Sequence, residues 1–73
     1  MERVAVQSSN VASIGWSEQP PVLEVEFQGR KGPSVYQYPG VTRDLWLRLL
    51  EAPSKGQYLN AEIKPRFEAV KVS

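Results

Sequence analysis

The sequence predicts an α+β domain: a three-stranded antiparallel meander followed by two short helices packed on one face of it. Three observations carry this prediction. Apolar and polar residues alternate over the first half of the chain, clusters of turn-forming residues separate the alternating runs, and after Pro39-Gly40 the apolar spacing changes to i, i+4. With 73 residues and 41% hydrophobic positions, the chain has the size of one domain with one core. Residues 1–10 are expected to form an N-terminal arm, 11–67 the domain and 68–73 a C-terminal tail, the run from Phe67 to Val72 reading either as a further extended segment or as a mobile tail.

Val4 and Val6 alternate with polar neighbours, and Gln7-Ser8-Ser9-Asn10 then supplies side chains that hydrogen-bond their own backbone, so the arm ends in a turn. The first strand is expected over 11–17. Ile14 and Trp16 lie on one face of it, and Val11, Ser13 and Gly15 lie on the other. Pro20-Pro21 cannot donate to a ladder and marks a turn. Residues 22–27 alternate cleanly, with Leu23, Val25 and Phe27 on one face and Glu24 and Glu26 on the solvent face. Gly29 to Pro33 supplies a hairpin loop, and 34–38 resumes the alternation as a third strand. A three-stranded sheet with one apolar face needs a cover on that face.

The helices provide it. Thr42 offers a hydroxyl N-cap and Asp44 stands in the first turn, so a helix is expected over 43–52 with Leu45, Trp46, Leu49 and Leu50 facing the sheet and Leu47 near the edge. Pro53 ends it, and Ser54 caps a second short helix over 55–63 that Pro65 closes.

Composition excludes much chemistry. There is no cysteine and no histidine, which removes disulfides, thiolate nucleophiles, Cys/His zinc sites and histidine-based triads. Glu24 and Glu26 have no third acidic ligand at a suggestive spacing and read as solubilising charge, so no cofactor or metal is expected. Pro53-Ser54-Lys55-Gly56 lacks the earlier glycine and the Gly-Lys-Ser/Thr ending of a phosphate-binding loop. It reads chiefly as a helix cap, with capture of a single anion as the alternative. No apolar run approaches the roughly 18 residues of a membrane span, and Met-Glu-Arg-Val does not open a signal peptide, so a cytoplasmic protein without membrane contact is expected. Charge is uneven: residues 1–29 hold one basic residue against four acidic ones, and residues 30–73 hold eight basic against four acidic. The basic half suits a polyanion or an acidic protein surface.

Four stretches, Ser8-Ser9-Asn10-Val11-Ala12-Ser13-Ile14-Gly15-Trp16, Leu23-Glu24-Val25-Glu26-Phe27, Val35-Tyr36-Gln37-Tyr38 and Ala52-Pro53-Ser54-Lys55-Gly56-Gln57-Tyr58-Leu59-Asn60, together resemble the KTSC domain over about residues 8–67. That family is named for the C-terminus of some lysyl-tRNA synthetases and also occurs as free-standing small proteins of bacteria and their phages. The chain departs from it in a longer Gly29 to Pro33 loop and in Pro39. The synthetase context implies RNA binding. In length and layout the chain is also similar to a small transcription regulator of lytic bacteriophages that binds the host RNA polymerase.

The expected function is therefore that of a monomeric, non-catalytic binding protein whose partner is a bacterial RNA polymerase subunit. The alternative is an RNA-binding module. In the first reading Tyr36, Tyr38, Arg43, Lys55, Tyr58, Asn60 and Arg66 form the partner surface, since aromatic and arginine side chains dominate interfaces. In the second, Tyr36 and Tyr38 stack bases while Arg30, Lys31, Lys55 and Arg66 touch phosphates.

Overall fold

The computed structural model describes residues 1–73 and shows an antiparallel sheet covered on one face by helices. Its strands are β1 (Arg3–Ala5), β2 (Val11–Glu18), β3 (Pro21–Phe27), β4 (Ser34–Pro39) and β5 (Val70–Lys71), in that spatial order. The sheet thus has five strands rather than three. Residues 3–5, expected in an arm, pair with β2, and residues 70–71, expected in a tail, pair with β4. Strands of three and two residues are too short to show a periodicity of their own, and their neighbours in the sheet define them.

The sheet is a meander until the helices intervene. β2 and β3 join at Gln19-Pro20, a cis peptide, and β3 and β4 join through a loop in which Gly32 adopts φ 114°, a conformation that favours glycine. β2 carries a bulge at Ala12, between the Val11–Phe27 and Ser13–Glu26 pairs. The extra residue moves Val11 to the helix-covered face, where it is fully buried, instead of the outer face that strict alternation assigns it.

Helix α1 (Arg43–Glu51) begins as its sequence dictates, with Thr42 accepting from the Leu45 amide. It ends at Ala52, before Pro53. Helix α2 (Lys55–Tyr58) is capped by Ser54, which accepts from the Gln57 amide at 3.2 Å. The chain then widens into a π-helical turn (Leu59–Ile63), closed by the Lys64 amide donating to the Leu59 carbonyl at 2.8 Å. This turn directs both Leu59 and Ile63 into the core. That core joins Val11, Ile14, Leu23, Val25 and Tyr38 of the sheet to Val41, Leu49, Leu59 and Ile63. Trp16 and Trp46 stack beside it with ring centroids 5.3 Å apart, and the Trp16 indole donates to the Val41 carbonyl at 2.8 Å. Leu47 is exposed, as its helical position requires. No helix is long and apolar enough to cross a membrane.

The opposite face of the sheet is not the simple solvated surface that alternation implies. Register places Arg3, Gly15, Glu24, Gln37 and Val70 in one row across all five strands. Gly15 has no side chain, so Arg3 reaches over β2 to Glu24, with its Nη1 2.5 Å from Oε2. The Arg3 Nε also donates to the Ser13 hydroxyl at 2.9 Å, and that hydroxyl donates to Glu26 at 2.8 Å. Gln37 donates to the second Glu24 oxygen at 2.8 Å. Glu24, expected on solvent, is only 8% exposed. Its carboxyl is held below the ordinary value of 4.5, first by the Gln37 hydrogen bond and then by Arg3, against the opposing effect of burial.

Candidate aromatic groove

Tyr36 and Tyr38 are two apart on β4, so both rings leave the same face of the sheet. That face is the one the helices cover. The two rings meet different surroundings, because Tyr38 lies under the core and Tyr36 stands nearer the sheet edge. Tyr38 is 2% exposed, and burial, then the neighbouring Tyr36, raises its phenol above 10.0. Tyr36 is half-buried and meets Phe27 of β3 edge to face, with centroids 5.8 Å apart.

Beyond the π-helical turn the chain passes back over the β4 side of the sheet, and Phe67 packs against Gly40, whose φ of 94° turns the chain after β4. The space between is a groove of about 710 Å³. Its apolar surface comes from Phe27, Tyr36, Tyr38, Phe67 and Ala69, and Lys64 and Glu68 supply its charge. The Lys64 ammonium lies 5.3 Å from the centre of the Phe27 ring, within reach of a cation–π attraction. Lys71 is the register partner of Tyr36 and so belongs to the same face.

The residues predicted from sequence do not form one surface. Tyr36 and Tyr38 line this groove. Tyr58 and Arg66 line a second, smaller depression of about 570 Å³ between α1 and the π-helical turn, together with Ser54. Arg66 pairs there with Glu62 at 3.2 Å. Lys55 folds back to donate to the Ala52 carbonyl at 2.6 Å, satisfying the end of α1. The Ser54-Lys55 pair is therefore a cap, and its lysine is committed within the fold. Arg43 opens α1 and Asn60 lies in the π-helical turn, both exposed and neither lining a groove. Phe27, Lys64, Phe67, Glu68 and Ala69 line the groove and are absent from the predicted site set, as is the adjacent Lys71. Phe27 shares the period-two face of Leu23 and Val25 and was recoverable on that ground. The two lysines carry no local signal.

No three His, Cys, Asp or Glu side chains gather as they would around a metal ion. The groove presents ring surface, the Lys64 ammonium and the Glu68 carboxylate.

The sequence profile of the KTSC domain matches residues 7–67. A protein of Stutzerimonas stutzeri is 39% identical over 66 residues, spanning 90% of this chain and 89% of that protein. A protein of Tsukamurella paurometabola is 34% identical over 65 residues, spanning 89% and 92%. The crystal structure of a KTSC domain protein from Yersinia pestis superposes with a TM-score of 0.87 at 33% identity, covering 99% of this chain and 97% of that one.

Proposed function

The chain belongs to the KTSC domain family, and from that premise we propose that it is a small non-catalytic binding module that engages a protein partner through the aromatic groove. The observation that carries this reading is the groove itself, an aromatic concavity at the edge of an otherwise filled core. Its geometry favours a protein over RNA. Stacking of bases calls for an open sheet face with accessible rings, and here the tyrosine face lies under the helices with Tyr38 buried. Two of the cations expected on phosphates are also engaged elsewhere, Lys55 with Ala52 and Arg66 with Glu62.

A bacterial RNA polymerase subunit is the partner proposed first, on the likeness in length and layout noted from the sequence, with transcription altered by occupation of a surface. The test is capture by the tagged protein from bacterial lysate, with and without nuclease, at two salt concentrations. Nuclease-resistant recovery of polymerase subunits supports the proposal. A different nuclease-resistant protein keeps the binding module and removes the polymerase. Recovery of RNA alone, abolished by nuclease and salt, overturns the protein reading, since phosphate contacts make affinity fall steeply with salt.

A further inference from the structure

The charges around the groove specify what its occupant should carry. Only three ion pairs form in the molecule, Arg3 with Glu24, Arg48 with Asp44 and Arg66 with Glu62. Lys64 and Lys71, which flank Tyr36 from the turn after the helices and from β5, have no carboxylate partner. Glu68, the one acidic side chain lining the groove, pairs with neither. The unpaired Lys64 thus stands in the groove beside aromatic surface, and Lys71, next to Tyr36 across the β4–β5 pair, adds a second unpaired cation at its border, in the half of the chain where basic residues outnumber acidic ones eight to four. A volume of about 710 Å³ accommodates one large side chain and its flanking backbone.

We infer that the groove recognises an acidic peptide segment bearing one aromatic anchor: the ring packs against Tyr36 and Phe67, and flanking carboxylates meet Lys64 and Lys71. This rests on the reading of the groove as a protein-binding site and adds the chemistry of the partner. The Lys64 ammonium lies over the Phe27 ring, 5.3 Å from its centre, and so stands beside the aromatic surface that would receive the anchor. A nucleic acid could satisfy the same two lysines through phosphates, but base stacking calls for an open sheet face, and here Tyr38 is buried and Phe27, Tyr36 and Phe67 are each half-buried.

The experiment uses the full chain and three probes followed by amide chemical shifts: an Asp/Glu-rich heptapeptide with a central Trp, the same peptide with Lys in place of its acids, and an oligouridine of matched charge. The acidic peptide should bind and shift the signals of Tyr36, Phe67 and Lys71. The joint change Lys64→Gln and Lys71→Gln should weaken it about tenfold, and Trp→Ala in the peptide should abolish binding. Both lysines are exposed, and an unchanged melting temperature of the variant would show that the fold is intact. The inference is overturned if the lysine-substituted peptide binds as well, if the double substitution leaves affinity unchanged, or if oligouridine binds more tightly than the acidic peptide. Should the lysate experiment capture a protein whose binding ignores both lysines, the binding module stands and this assignment of its partner's chemistry falls.

Discussion

Replacing Gly15 by alanine should unclasp the N-terminal strand. A Cβ at this position would lie 2.5 Å from the Glu2 carbonyl oxygen and 2.9 Å from Arg3 Cγ. The first of these is backbone, so β1 itself must lift. Lifting it draws the Arg3 guanidinium away from Glu24, whose side chain is only 10% exposed, and leaves Gln37 as the remaining partner of that carboxylate. Removing a charged hydrogen-bond partner from a mostly buried group costs about 2–3 kcal/mol. The Arg3 side chain keeps 29% of its exposure, so water can enter the vacated position and the cost falls at the lower end. The unfolded chain loses freedom with alanine, which offsets about 0.5 kcal/mol. A net loss of about 1.5 kcal/mol should lower the melting temperature of so small a domain by roughly 6–12 °C. Thermal unfolding followed by circular dichroism at neutral pH would measure this for Gly15→Ala, Arg3→Ala and the two combined. If the alanine acts by displacing Arg3, the double variant should fall within about 0.5 kcal/mol of Gly15→Ala alone. Losses that simply add, or a Gly15→Ala variant as stable as the parent, would refute the argument.

Three further outcomes are expected. Glu24 titrates below its unfolded value, so its contribution is present above about pH 4.5 and is lost as pH falls through the folded value; Glu24→Gln should flatten the acid limb of a stability–pH curve, and an unchanged limb would show that Glu24 does not set it. Deleting residues 68–73 removes β5 together with the hydrogen bonds between Val35 and Val72 and Ser73; chemical denaturation should show a loss of about 1–2 kcal/mol, whereas an unchanged midpoint would mean that β5 adds nothing. Ser54→Ala should cost about 1 kcal/mol through loss of the cap on the Gln57 amide, measured by the same denaturation, and a cost near zero would show that Lys55 and the π-helical turn hold this corner without it.

The three central strands and both helices were legible in the sequence because each is written locally: Leu23, Val25 and Phe27 alternate, Thr42 and Ser54 cap, and Pro53 stops α1. What escaped was written in relations between distant residues. Val11 changes face because of one bulge at Ala12. Glu24 is buried because Arg3, 21 positions earlier, crosses a glycine to meet it. The shared face of Tyr36 and Tyr38 followed from spacing, but their unequal burial depends on where the chain returns after Ile63. Lys55 and Arg66 looked like free cations until the structure showed what each one holds.

The two short strands added at the termini also determine what the sheet presents at its edges. The longer strands, of eight, seven and six residues, are interior. The sheet's outer borders are β1 and β5, of three and two residues, carrying Arg3 and Lys71. Short, charged borders give a neighbouring chain little to pair with. Were β5 to detach, the Ser34–Pro39 strand, with its valine and two tyrosines, would become an open template for cross-β stacking. The terminal segments therefore cover the two edges of the sheet at which a further strand could add.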